Sequence, residues 1–146
     1  MTASNAFETS LLTLLFNNSN IANIGDATGL RGSTAAGSIY VGLHTADPGE
    51  AGTQSTSEAT YTGYARVAVA RSGAGWTIAG NSVSNAAAIN FGACTAGSNT
   101  ITHFSIGSSS SGVGDLVLSG ALTASLAVSA GITPSFAIGQ LTATAD

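Results

Sequence analysis

The first hydrophobic pattern in the chain has a period near that of a helix. Phe7, Leu11, Leu14 and Leu15 fall at i, i+4, i+7 and i+8, so they lie along one stripe. Asn5 and Glu8 stand at the two ends of a capping box, with Asn in place of the usual Ser or Thr. The spacing predicts a helix over about 5–16, stopped by the polar run Asn17-Asn18-Ser19-Asn20. Leu12 and Phe16 widen the apolar arc beyond one stripe, which predicts burial on more than one side.

From Ile39 the period falls to two, and short β-rich runs recur between Gly, Ser and Asn punctuation. Ser38 to His44 reads as a first strand, ended by Asp47-Pro48-Gly49, where Pro presets φ and Gly accepts the positive φ of a turn. Thr45 to Thr60 then reads as a long polar surface loop of the kind that carries function or moves. Ala65, Val67 and Val69 alternate with Arg66 and Ala68, as in a half-buried strand. Trp76–Ala79 and Ser82–Asn85 are separated by Gly80-Asn81, a two-residue hairpin connection of type I′ or II′. Further strands are predicted at Ile89–Phe91, Ile101–Ile106, Leu116–Leu122, Leu126–Val128 and Phe136–Leu141.

With no helical pattern between them, these strands pair antiparallel, and two sheets closed face to face bury both apolar faces. The expected fold is therefore mostly β: an antiparallel β-sandwich, a jelly roll being one form of it, with one N-terminal α-helix. The 146 residues are expected to form a single domain, with the helix over about 5–16 and the sandwich over about 38–142. The serine run between Gly107 and Gly112 is a short connection inside that domain.

Composition changes the picture chiefly through charge. Only 7% of residues are charged, against about 25% in ordinary soluble domains. There is no lysine, and Arg31, Arg66 and Arg71 are the only basic side chains in a chain of net charge -4. Nucleic-acid binding needs a track of cations against phosphates, which three arginines do not supply. A surface of Ser, Thr, Ala, Asn and Gly lacks the charges that keep isolated domains apart, so much of it is expected to be covered by neighbouring proteins. No apolar run reaches the 18 or more residues of a membrane span, and the start has no positively charged leader segment. The chain is expected to fold in a cytoplasm.

Candidate chemistry is sparse. A P-loop lysine and a Gly-x-Ser-x-Gly elbow are both missing. His44 and His103 could join Asp47 at a metal, but their spacing has no diagnostic form, and they read as strand-end histidines satisfied by backbone or water. Asp47, Glu50 and Glu58 match no EF-hand loop and read as solvated loop charges, against a calcium or acid–base site. Cys94 reads as an inert buried thiol rather than a nucleophile. Tyr40, Tyr61, Tyr64 and Trp76 read as core and cross-strand packing, the alternative being a sugar-stacking platform. No catalytic, cofactor-binding or metal-binding residue is assigned, and the chain is expected not to be an enzyme.

Four segments carry a resemblance over nearly the whole chain: Asn5-Ala-Phe-Glu8; Ile39-Tyr-Val-Gly-Leu-His-Thr-Ala-Asp-Pro-Gly-Glu50; Tyr61 to Val69 with Trp76 to Asn85; and Gly131 to Gly139. Together they resemble a family of small structural proteins of tailed-phage virions. Members are often labelled tail fibre proteins, and the chain is also similar to compact jelly-roll cement proteins of phage heads. The resemblance implies a head decoration protein on the capsid exterior, a homo-oligomer, most simply a dimer, that clamps the major capsid protein. The alternative it implies is a tail-associated or tail fibre component, with receptor or glycan binding as one form of that role. It brings no catalytic residues.

Overall fold

The computed structural model describes residues 3–22, 24–25 and 29–145. Along the chain the elements are α1 (Asn5–Asn17), β1 (Ser38–His44), β2 (Val67–Ala70), β3 (Trp76–Ala79), β4 (Ser82–Asn85), β5 (Ile89–Asn90), β6 (Asn99–Gly107), β7 (Leu116–Val128), β8 (Ser135–Phe136) and β9 (Thr142–Thr144). The class is mostly β with one amino-terminal helix. The pairings β1–β6, β6–β7, β3–β4 and β4–β9 are antiparallel, consistent with the expected sandwich. The chain forms two compact units. One is built from Met1–Ser38, Ala70–Ala88 and Phe136–Asp146, the other from Ile39–Val69 and Ile89–Ser135.

The first unit holds α1 and the three-stranded sheet β3-β4-β9. Ser4, not Asn5, is the N-cap: its Oγ accepts from Phe7 N at 3.3 Å, so the capping box expected from Asn5 and Glu8 starts one residue too late. Asn18 ends the helix in the left-handed conformation (φ 55°), with its backbone N–H donating to Thr13 O. The buried face is Glu8, Leu12 and Phe16, whereas Phe7 and Leu11 of the expected stripe stay 42% and 41% exposed. The arc is wide enough to offer two faces, and the one carrying Phe16 won because it meets Trp76. Those rings stand edge to face with centroids 4.9 Å apart, and both are fully buried. Trp76 Nε1 is the one buried side-chain polar atom without a partner among the described residues.

The helix has no basic residue in its last turn, so a distant one serves. Arg71 donates from Nε to Leu15 O (2.6 Å) and from Nη2 to Leu14 O (2.9 Å), satisfying carbonyls the helix leaves open and placing a cation at its negative end. The β3–β4 turn has a positive φ at Gly80 (62°) and not at Asn81, which selects type II′ over I′. Asn85, fully buried, donates to Ala87 O and Ala137 O and accepts from Leu141 N. That holds residues 137–141 in a turn, closed by Gln140 N to Ala137 O, where a strand over Phe136–Leu141 was expected. The apolar alternation there was misleading: Ile138 is 70% exposed.

The second unit carries the four-stranded sheet in the order β2-β1-β6-β7, and β5 pairs with β8. Its core is Ile39, Val41, Leu43, Tyr61, Ile89, Phe91, Ile101 and Ile106 with their neighbours. Register runs from Tyr40 opposite Gly107 to His44 opposite His103. The two expected strands Leu116–Leu122 and Leu126–Val128 are one strand, β7, interrupted by a bulge against β6.

Candidate functional site

The sequence assigns no chemical site, so the question is what the polar side chains of the second unit do. They converge over Gly42. A Cβ at that position would lie 2.9 Å from Ser105 Oγ, 3.3 Å from Tyr64 Oη and 3.5 Å from His44 Nε2, so glycine makes the room. His44 is bound on both ring nitrogens: Nδ1 lies 2.8 Å from Thr56 O, and Nε2 2.7 Å from Ser105 Oγ. A carbonyl only accepts, so Nδ1 carries the proton and Ser105 donates to Nε2. A serine against an imidazole has the form of a nucleophile and its base. Here both are fully buried, and the second nitrogen is held by a carbonyl instead of a carboxylate. The arrangement pins Thr56 to β1 and β6.

Burial lowers the His44 pKa below its ordinary 6.5, outweighing the opposing effects of the Thr56 carbonyl and Glu58. In the folded chain the neutral ring is favoured, so the unfolded chain takes up the proton first as pH falls. Stability is therefore full above pH 6.5 and drops as the pH descends from 6.5 toward the lower folded-state value. Thermal melts from pH 8 to 5 on wild type and His44→Gln check this. The slope below 6.5 shrinks in the variant, and an unchanged slope defeats the assignment.

Next to this histidine is a second knot. Arg66, its side chain 1% exposed, grips Glu58 with Nε to Oε1 (2.6 Å) and Nη2 to Oε2 (2.7 Å), the two-pronged geometry in which Arg matches a carboxylate. Tyr64 Oη donates to the same Glu58 oxygen at 2.9 Å and accepts from Leu43 N at 3.0 Å. Burial pushes the Tyr64 phenol well above its usual range, and the bond to Glu58 raises the Arg66 pKa. Glu58 is thus half-buried in an ion pair, which corrects its reading as a solvated loop charge. Asp47 and Glu50 are exposed, with Asp47 Oδ1 accepting from Gly49 N.

The loop over 45–60, expected as a polar surface loop that carries function or moves, is tied into the unit by these contacts. Thr45 N donates to Ser57 O and Ala59 N to Leu43 O, continuing β1 sideways. Gln54, fully buried, accepts from Ser109 N, and its own N–H donates to Gly114 O. Its side chain passes so close to Gly107 and Gly114 that a Cβ at either would lie 2.1 Å from it. Arg66 adds Nη1 to Ser109 O (3.0 Å) and Nη2 to Gly112 O (2.7 Å). Two buried side chains therefore fix the connection between β6 and β7 at both ends. That connection presents Val113, 78% exposed, to the outside. A held loop with an apolar tip loses little freedom when a partner covers it.

The other candidates resolve simply. Tyr61 packs edge to face on Tyr64, and Tyr64 stacks on Phe91, while Trp76 packs on Phe16. Tyr61 and Trp76 are buried, so no open aromatic platform is formed from them. Cys94 is buried, its thiol facing Ala96 O and Gly97 O. His103 lies opposite His44 in the ladder, with Nδ1 2.8 Å from Thr102 Oγ1. Sequence reasoning did not bring the two histidines together and missed the Glu58–Arg66 pair. The available signal was Arg66 itself, the only charge within an otherwise apolar strand pattern. Among the described residues, no helix is long and apolar enough to cross a membrane.

No curated protein sequence matches the chain. A family model described as podophage GP4 fiber I protein gp80 matches residues 2–144. That match covers nearly the whole chain, and the chain belongs to the family of podophage GP4 fiber I protein gp80.

Proposed function

We propose that this protein is a tail-associated fibre component of a podophage virion and works by packing against other virion proteins, without catalysing a reaction. The match to a fibre protein family over residues 2–144 carries the proposal. Three features of the chain support it. Arg66 and Arg71 are spent on internal contacts, leaving exposed Arg31 as the remaining basic side chain and no cationic track for nucleic acid. The polar side chains around His44 are saturated by the loops they hold. The exterior presents uncharged, partly apolar features such as Val113. Self-association belongs to the same reading, because a surface so poor in charge offers little repulsion between copies.

A second reading places the protein on the head as a decoration protein bound to the major capsid protein. It is favoured by the compact β units, which contain no heptad or fibrous repeat. Immunogold labelling or cryo-electron microscopy of purified virions tests both. Density at the tail is the expected result, and signal confined to the capsid exterior replaces the fibre reading with the decoration one.

A further inference from the structure

We infer that β7 is a seam on which two copies of this chain pair, antiparallel, about a twofold axis at Leu122. The inference rests on the self-association just proposed and adds its surface and register. In the sheet order β2-β1-β6-β7, the last strand is an edge. No hydrogen bond other than those to β6 reaches the backbone of Leu116–Val128 among the described residues. Every side chain from Leu116 to Ala127 is at least partly exposed. Natural edge strands are guarded by lysine, proline, inward charges or bulges, and β7 has a bulge but no charged residue and no proline over 13 residues. Its register against β6 shifts twice, by one residue between Ile106 and Gly107 and by a wider bulge. Ala121 pairs with His103 and Leu126 with Ile101, so Leu122–Ser125 stand opposite Thr102 alone and are released from β6.

The occupant follows from the strand's own sequence, which reads alike in both directions from Leu122. Outward from that residue stand Ala121 and Thr123, Gly120 and Ala124, Ser119 and Ser125, Leu118 and Leu126, Val117 and Ala127, and Leu116 and Val128. An antiparallel copy centred on Leu122 therefore sets small beside small, serine beside serine and leucine beside leucine. A twofold interface must be complementary to itself, and this strand is. The strand carries no charge, so two copies meet along it without setting like charges side by side.

Ala121 and Thr123 are both exposed and face each other across the axis, so a charge swap tests the register. Sedimentation equilibrium is run on wild type, on Ala121→Glu/Thr123→Glu and on Ala121→Lys/Thr123→Glu. The glutamate pair sets like charges opposite one another twice and weakens dimerisation by on the order of 100-fold, whereas the lysine–glutamate pair restores it to within about 10-fold of wild type. Should the glutamate variant fail to fold, Leu122→Cys gives a covalent dimer on mild oxidation, because the two copies meet on the axis at a distance a disulfide spans. Thr95→Cys, exposed and remote in sequence from β7, does not. Wild type that stays monomeric overturns self-association itself. An oligomeric wild type whose association ignores the glutamate pair, or is not restored by the lysine–glutamate pair, overturns only the β7 seam. A Leu122→Cys chain that does not cross-link does the same.

Discussion

Glu58→Ala lowers the unfolding free energy by about 3 kcal/mol, the lower end of what breaking a buried ion pair costs. The asymmetry of the pair sets this value. Arg66 has a side chain only 1% exposed, so without Glu58 its guanidinium keeps two carbonyl partners and no counter-charge, out of reach of most water. Glu58 is 18% exposed and can recover some hydration when Arg66 is removed. Arg66→Ala therefore loses less through stranded charge, but it also frees Ser109 O and Gly112 O and loosens the loop that presents Val113. The double variant Glu58→Leu/Arg66→Met restores packing without either charge and is more stable than Glu58→Ala. Denaturant titrations of wild type, Glu58→Ala, Arg66→Ala and Glu58→Ala/Arg66→Ala supply the double-mutant cycle, with Glu58→Leu/Arg66→Met measured beside them. A loss below about 1 kcal/mol for Glu58→Ala would mean that water already reaches the pair, and its role in holding the loop would fall with it.

Those two residues also mark where the sequence stops being legible. The strands at Ser38–His44, Trp76–Ala79 and Ser82–Asn85 were readable because their period, their β-branched or aromatic residues and their turn chemistry agree with one another. The helix was readable for similar reasons, but not the side it buries. Its apolar arc covers two faces, and only the position of Trp76, sixty residues away, selects Leu12 and Phe16 over Phe7 and Leu11. Residues 137–141 looked like a strand by alternation and form a turn because the Asn85 side chain bonds to Ala137 and Leu141 from another segment. The loop over 45–60 read only as a polar surface loop because its polar residues have no adjacent partners in sequence. Glu58, Gln54 and the Thr56 carbonyl find theirs at Arg66, Ser109 and His44. Long-range partners of polar groups leave no periodic trace, so the knots that organise the second unit were invisible, whereas the paucity of charge that argues against nucleic acid was plain.

Phe16→Ala is expected to cost about 3–5 kcal/mol, the range for emptying an aromatic site in a core that relaxes only partly. Phe16 is fully buried and forms the edge-to-face contact with Trp76, so the loss combines transferred surface, a cavity and the ring pair. For a chain near 150 residues each kcal/mol moves the melting temperature by roughly 3 °C, which predicts a fall of about 10 °C or more. Leu11→Ala, on the exposed face of the same helix, shifts it by no more than about 2 °C, as surface substitutions do. The contrast separates the one observed face from the wider arc read off the sequence, since that arc makes Leu11 a core residue as well. The same melts address cooperativity. The chain passes between its two units at 38–39, 69–70, 88–89 and 135–136, so neither unit is a continuous segment. If the 146 residues unfold as a single domain, Trp76 fluorescence, which reports the first unit, and far-UV circular dichroism, to which the long β6–β7 pair of the second contributes, give coincident transitions in wild type and in Phe16→Ala. A fluorescence transition that moves down alone in Phe16→Ala would show the units unfolding separately, and the single-domain expectation would give way to two.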